Sequence, residues 1–141
     1  MRAFLDTSSL VKLYHQEENS DFVMQALSAD NEGIFLSELA VLEFHSALWK
    51  KIREKEIEEK VALQVMACFQ NDRDKYQWIP LGKNIIESAS RLLMKYGARG
   101  LRTLDSIQLA SAYALKEAGC IFLTSDNLLR TFLLEEGLKV Y

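Results

Sequence analysis

The chain has 141 residues, of which 49% are hydrophobic and 26% charged, as in an ordinary single globular domain. Its formal net charge of −3, from 17 Lys and Arg against 20 Asp and Glu, argues against general binding of nucleic acid through a basic surface. No apolar run is long enough to cross a bilayer, and Asp6 interrupts the apolar N-terminus. We therefore expect neither a membrane span nor a signal peptide, and a cytoplasmic protein.

The N-terminal stretch combines a short apolar segment with several side-chain oxygens. Residues 2–5 form the apolar segment, Asp6 follows at once, and Thr7 and Ser8 lead into a helical pattern over residues 7–14. The pattern predicts a strand, an acid at its exit and a helix that begins with hydroxyls. Ligands of open α/β sheets bind at the carboxyl ends of the strands, so these oxygens mark a candidate site.

Short apolar runs alternate with helical patterns along the rest of the chain. Strands are predicted at residues 2–5, 34–36, 77–80, 120–124 and 138–141. Helices are predicted at residues 7–14, 21–29, 38–54, 56–74, 84–96, 104–118 and 127–136, with a turn at 30–33. Ser37 and Thr103 are predicted to cap their helices, and Gly119 to end one. The alternation favours one α/β domain, residues 1–141, with a central parallel sheet flanked by helices.

The apolar spacing also predicts which side chains form the core. It places Leu42, Leu63 and Ile86 on the buried sides of their helices. Cys68 and Cys120 lie in apolar surroundings without nearby histidines. We therefore expect buried free thiols and no zinc site.

Three acids stand where a strand ends or a helix starts. Asp6 follows the first strand, Asp105 lies in the first turn of its helix, and Asp126 follows the strand at residues 120–124. Each has an ordinary explanation, because Asp is favoured at helix N-termini by free backbone N–H groups and by the helix dipole. Taken singly, each is either a capping residue or a site residue.

Glu43 is harder to explain by capping. It is predicted inside its helix, well past Ser37, among apolar residues at spacings of three and four. A carboxylate on such a face must be paired with a cation, protonated or bound to a metal. A Lys or Arg partner would explain it by itself. The alternative is that all four acids surround a divalent ion such as Mg²⁺ or Mn²⁺, which prefers hard oxygen donors and supports phosphodiester hydrolysis.

Hydroxyls and arginines near these acids are weaker candidates. Four hydroxyl residues either orient water or phosphate or only cap helices. They are Thr7, Ser8, Thr124 and Ser125. Arg99 and Arg102 flank the loop before Asp105 and either hold phosphate or lie in solvent. The cations at residues 50–55 are interpreted as a solvated helix end rather than a nucleic-acid groove.

Four stretches, taken in order, resemble a PIN domain, and in particular the VapC-like toxin ribonucleases of bacterial and archaeal toxin–antitoxin pairs. They are FLDTSSLVKLY, LSELAVLEFHSALWKK, TLDSIQLASAYALKEAG and FLTSDNLLRTFLLEEGLKVY. The acidic tetrad of that family falls on Asp6, Glu43, Asp105 and Asp126, and its hydroxyl falls on Thr124 or Ser125.

The resemblance implies a PIN-like fold and an endoribonuclease that depends on Mg²⁺ or Mn²⁺. It also implies an RNA substrate, a homodimer and a small antitoxin protein whose tail enters the acidic groove. It does not indicate which RNA is cut.

Two other functions are compatible with parts of the sequence. A phosphotransfer enzyme could use Asp6 as its nucleophile, although Ser8 occupies the position where the haloacid-dehalogenase pattern has a second acid. A PIN-like interaction module without turnover is the other alternative, and the complete set of four acids argues against it.

Overall fold

The computed structural model describes residues 2–16, 20–21 and 33–141. Its five strands are β1 (Arg2–Leu5), β2 (Gly33–Ser37), β3 (Gln77–Ile79), β4 (Ile121–Leu123) and β5 (Lys139–Val140). They form one sheet in the order β3-β2-β1-β4-β5, and every neighbouring pair is parallel. The predicted central parallel sheet is confirmed.

Helices pack on both faces of the sheet. They are α1 (Thr7–Tyr14), α2 (Ala40–Arg53), α3 (Glu59–Asp72), α4 (Lys83–Tyr96), α5 (Thr103–Tyr113) and α6 (Asn127–Glu135). Short 3-10 turns occupy Arg73–Lys75, Gly97–Arg99 and Lys116–Ala118. In the described part of the chain, no helix is both long and apolar enough to span a membrane.

The two faces of the sheet carry separate hydrophobic cores because side chains alternate along each strand. In β1, Ala3 and Leu5 contribute to the core under α1, α2 and α3, whereas Phe4 contributes to the core under α4, α5 and α6. All three side chains are buried. The central strand is thus apolar on both faces, as parallel sheets require.

The strand order places a topological switch point beside β1. From β1 the chain moves outward to β2 and β3 and later returns to the other side of β1 as β4. The carboxyl ends of β1 and β4 are therefore neighbours, with Phe4 paired to Phe122 and Leu5 to Leu123. The Asp6 backbone N–H donates to the Leu123 carbonyl at 3.2 Å. A crevice at such a point is where open α/β sheets bind ligands.

Several helix ends differ from the sequence prediction. α3 begins at Glu59 rather than at residue 56, and α5 stops at Tyr113, five residues early. A 3-10 turn follows α5, and Gly119 ends that turn with φ +72°, a conformation that favours glycine. Thr103 is the first residue of α5 and not its cap. The Ser37 hydroxyl accepts from the Leu39 N–H at 3.2 Å, but α2 begins only at Ala40.

Some apolar residues predicted to face the core lie on the surface. Leu42 is 70% exposed because the buried stripe of α2 runs through Ala40, Phe44 and Leu48, on the opposite side of the helix. Val61, Leu63 and Ile86 are also exposed. Of the two cysteines, Cys120 is buried as expected and Cys68 is exposed. Spacing alone could not choose between apolar faces where a helix has apolar residues on both.

Two predicted elements lie largely outside the described residues. They are the helix at residues 21–29, of which Asp21 is described as helical, and the turn at 30–33, of which only Gly33 is described, as the first residue of β2.

Candidate active site

Asp6 lies at the junction of β1 and α1 and caps α1. Its Oδ1 accepts hydrogen bonds from the Ser9 N–H at 3.0 Å and the Ser8 hydroxyl at 2.8 Å, and its Oδ2 accepts one from the Thr124 hydroxyl. The side chain is nearly enclosed, with 6% of the residue exposed. Burial raises the pKa of Asp6, and the hydrogen bonds from Thr124, Ser9 and Ser8 oppose that rise.

Asp126 holds the equivalent place at the junction of β4 and α6. Its Oδ1 accepts from the Leu129 N–H at 3.0 Å and caps α6, and the residue is exposed. The Thr124 hydroxyl accepts from the Asp126 N–H at 3.0 Å while it donates to Asp6. Thr124 therefore links the two acids, and the capping interpretation holds for both of them.

Glu43 lies in the first turn of α2, not well inside the helix as predicted, because α2 starts at Ala40. Its Oε1 accepts from the Thr7 hydroxyl and from the Gln108 amide, each at 2.8 Å. No Lys or Arg in the described part of the chain forms a salt bridge with it. Its partners are neutral donors, so the ordinary explanation by a buried ion pair does not apply.

Asp105 lies in the first turn of α5, close enough to the other three acids for their charges to act on it. Burial raises the pKa of Asp105 most, and the nearby charges of Asp126, Glu43 and Asp6 raise it further. Arg102 acts in the opposite direction and lowers it. Four carboxylates that are distant in sequence thus share one electrostatic environment beside the switch point of the sheet.

The structure separates the two arginines that the sequence placed together. Arg102 is close enough to Asp105 to affect its pKa. Arg99 instead donates to both carboxylate oxygens of Glu135, at 2.6 and 2.9 Å, and lies over the rings of Tyr96 and Phe132. Arg99 therefore binds at the C-terminal end of α6 and does not lie at the four acids.

Gln108 is a site residue that the sequence interpretation missed. It is 3% exposed, and its Nε2 donates to both Glu43 Oε1 and, at 3.1 Å, Thr7 Oγ1. Its Oε1 is buried and has no hydrogen-bond partner among the described residues. Gln108 follows Asp105 by three residues, so both project from one face of α5. That spacing was the available signal.

Lys12 is the second missed residue. It is buried in α1, and its Nζ donates to the Ser125 hydroxyl in the turn after β4. The Ser125 N–H in turn reaches the Ser8 hydroxyl at 3.5 Å. A lysine in an otherwise apolar helical stretch was the sequence signal.

The donor chemistry of the site fits a hard divalent cation. It offers carboxylate and hydroxyl oxygens, the donors that Mg²⁺ and Mn²⁺ prefer. Within the residues described, however, no group of three or more His, Cys, Asp or Glu side chains is arranged to hold a metal ion.

A groove of about 680 Å³ follows α2, and of the four acids Glu43 lines it. Thr7 and Ser8 of α1 also line it, and Lys50 and Arg53 line it further along α2. Both cations are exposed, as predicted for a solvated helix end, but they also face the groove.

The PIN domain family matches residues 3–132, and the chain belongs to that family. The match includes both strand ends and both helix starts that carry the acids. A comparison with curated protein sequences finds no match.

Solved structures that share this fold include a toxin and chains of VapBC complexes. A chain of VapBC2 from Rickettsia felis, bound to a DNA fragment from its promoter, is 14% identical with a TM-score of 0.67, covering 100% of this chain and 98% of that one. The sarcin-ricin-loop-cleaving toxin VapC20 of Mycobacterium tuberculosis is 14% identical with a TM-score of 0.68, covering 92% and 94%. VapBC-1 from nontypeable Haemophilus influenzae is 12% identical with a TM-score of 0.67, covering 100% and 97%.

Proposed function

We propose that the protein is an endoribonuclease that depends on Mg²⁺ or Mn²⁺ and hydrolyses RNA phosphodiester bonds. The observation that carries the proposal is the gathering of Asp6, Glu43 and Asp126 around Asp105 in a PIN domain. Carboxylates collected without a salt-bridge partner among the described residues destabilise the free protein, which favours a role in function over one in folding.

A divalent ion at these carboxylates would screen the phosphate charge and lower the pKa of a bound water. The residues of the chain would hold the site in shape for that chemistry. Asp6 is fixed by the hydroxyls of Ser8 and Thr124, and Glu43 by Thr7 and Gln108. Their orientation is therefore set before any ligand arrives.

Asp105 has the carboxylate that is least engaged within the protein. In the described part of the chain it receives no hydrogen bond, unlike the carboxylates of Asp6, Glu43 and Asp126. The nearby Arg102 cation lowers its pKa and opposes the neighbouring acids only in part. We propose that Asp105 offers its free oxygens to the divalent ion.

The groove beside the acids is the proposed path of the RNA strand. Its cationic end at Lys50 and Arg53 would hold phosphates, while the acids face the phosphate to be cut. A net charge of −3 leaves little general attraction for nucleic acid, so local cations matter more here than in a basic protein.

Metal-dependent cleavage of a pooled RNA substrate tests the proposal. We expect cleavage with Mg²⁺ or Mn²⁺, none in EDTA, and a loss of about a thousandfold or more in Asp105→Asn. Asp74→Asn, which removes an exposed Asp outside the site, is the matched control and should cleave like wild type. Cleavage that survives EDTA, or survives Asp105→Asn, would refute the assignment.

We further propose that the protein is the toxin of a toxin–antitoxin pair and acts in the cytoplasm as a homodimer. The fold it shares with chains of VapBC complexes supports an antitoxin partner. Expression without a partner should arrest growth, and Asp6→Asn should relieve the arrest. Equal arrest by both proteins would contradict this role, and a 16.2 kDa species alone in light scattering would contradict the dimer.

The contacts of Asp6 count against the alternative of a phosphotransfer enzyme. A nucleophilic carboxylate needs a free oxygen directed at the substrate, whereas both Asp6 oxygens already accept hydrogen bonds. Formation of an aspartyl phosphate on incubation with a phosphodonor would favour that alternative. A folded protein that shows no RNA cleavage would favour the non-catalytic module.

A further inference from the structure

A buried lysine lies beside the acidic site without a carboxylate partner. Lys12 is 8% exposed, and its Nζ donates to the Ser125 hydroxyl, 113 residues away in the chain. No Asp or Glu among the described residues lies within salt-bridge distance of this ammonium. This cation, six residues after Asp6, is thus held by a neutral group.

A neutral hydroxyl is an incomplete partner for an ammonium. The ammonium has three donors, and in the described structure one of them is used. Burying a charge is costly unless an opposite charge compensates it. Lys12 therefore has both the unused donors and the uncompensated charge that an anion would satisfy.

The hydroxyl that holds this ammonium lies at the protein surface. Its partner Ser125 is exposed, as are Ser8 and Asp126 on either side. Ser8 also donates to Asp6, and Ser125 directly precedes Asp126. An anion that replaces Ser125 at Lys12 would therefore lie next to two of the four acids.

We propose that Lys12 binds a phosphate oxygen of the RNA strand beside the acids, and that Ser125 is its partner only in the free protein. The inference rests on the proposed nuclease function and adds a substrate contact to it. An internal counter-ion for the acids would contact a carboxylate, whereas Lys12 contacts a hydroxyl. A phosphate group supplies the negative charge that the buried ammonium lacks.

Binding of a labelled 2′-O-methyl RNA oligomer, measured by fluorescence anisotropy over a range of KCl concentrations in EDTA and again with Ca²⁺, tests the contact. We expect Lys12→Met to bind about tenfold more weakly at low salt. Its slope of log K against log salt should be smaller by about 0.7, the value for one phosphate contact on a single strand. Lys12→Arg keeps the charge and should keep most of the slope. Lys83→Met, at an exposed lysine on α4, is the control and should not change it.

The outcomes separate this inference from the nuclease proposal. If wild type neither binds the oligomer nor cleaves RNA, the nuclease proposal fails. If wild type binds and cleaves but Lys12→Met has the same affinity and slope, only the Lys12 contact is refuted. Normal binding with a lower Tm in EDTA would mean that Lys12 serves only as an internal counter-ion. Should Lys12→Met not fold, Lys12→Gln and Lys12→Arg provide the same comparison of charge.

Discussion

The two ends of α6 carry acids in opposite environments. At its N-terminus, Asp126 caps the helix and shares a site with Asp105, whose pKa is raised by burial and by neighbouring acids. At its C-terminus, Glu135 and Glu136 are surrounded by cations, and both have lowered pKa values. A helix of nine residues, about 13 Å long, separates the two environments.

The C-terminal acids show what carboxylates look like when they stabilise a fold. Glu136 is 7% exposed and accepts from Lys95 at 2.7 Å and from the Tyr96 hydroxyl at 2.5 Å, with Arg91 at 3.7 Å. Burial alone would raise the pKa of Glu136, but the hydrogen bonds from Lys95 and Tyr96 outweigh it. These cations also offset the negative end of the helix dipole.

The acids at the N-terminal end have few such partners. Hydroxyls, amides and backbone N–H groups orient Asp6, Glu43 and Asp126, and Arg102 only partly offsets the charge around Asp105. An acidic side chain surrounded by cations thus stabilises the fold, whereas an acidic side chain held by neutral donors is available for ligands. The comparison also predicts opposite responses to mutation at the two ends.

The largest effect on stability is expected at Glu136. Glu136→Ala leaves the buried Tyr96 hydroxyl without its acceptor and Lys95 without its counter-ion, and should cost about 3 kcal/mol of unfolding free energy. Urea denaturation measures the loss, and RNA cleavage by the folded fraction should be unchanged. Glu135→Ala, at the exposed neighbour, should cost clearly less. Equal losses at the two positions would contradict the role assigned to the buried pair.

Removal of an acid at the other end should have the opposite sign. Asp105→Asn removes one of four like charges and breaks no side-chain hydrogen bond among the described residues. In EDTA we expect Tm to rise by about 2–4 °C, the shift that about 1 kcal/mol produces in a chain of this length. The gain in Tm on adding Mg²⁺ should shrink.

The companion change Glu43→Gln provides a check on that prediction. The Gln carbonyl can still accept from Thr7 and Gln108, so it too should not lower Tm in EDTA. A clear fall in Tm for either variant would mean that these acids hold the fold together and would remove the contrast between the two ends of α6.

The smallest effect is a pH dependence of the metal-free protein. The pKa values of Asp6 and Asp105 are raised above the usual 3.8, so the folded state binds more protons than the unfolded state between that value and the raised ones. Unfolding free energy therefore falls as pH rises through this window. The lowered pKa values of Glu135 and Glu136 have the opposite effect. The stability that these two residues contribute is lost only as pH falls below 4.5, the usual pKa of Glu.

Thermal melts in EDTA between pH 4.5 and neutral pH isolate the acidic site from the paired glutamates. We expect wild type to be more stable at the acidic end of that range and Asp105→Asn to show a flatter profile. A wild-type profile that rises toward neutral pH would contradict the raised pKa values at the site.

Local patterns were enough to predict the layer architecture and to single out four acids as candidates. Short apolar runs that alternate with helical spacing indicate alternating strands and helices. Because this alternation favours a parallel sheet, the sheet could be predicted from the sequence. Asp6 and Asp126 each follow a strand and open a helix, and parallel strands bring such junctions to one edge. Asp105 was singled out by its place in the first turn of a helix and Glu43 by its apolar neighbours, and the resemblance to the family tetrad falls on the same four acids.

Only the tertiary structure decided which long side chains meet. The sequence left open whether Arg99, close to Asp105 in the chain, holds phosphate or lies in solvent, and its side chain instead reaches Glu135. Lys12 and Gln108 gained their roles from partners about a hundred residues away, which no local pattern records. Leu42 is apolar at helical spacing but exposed, because periodicity defines the faces of a helix and packing chooses the one that is buried.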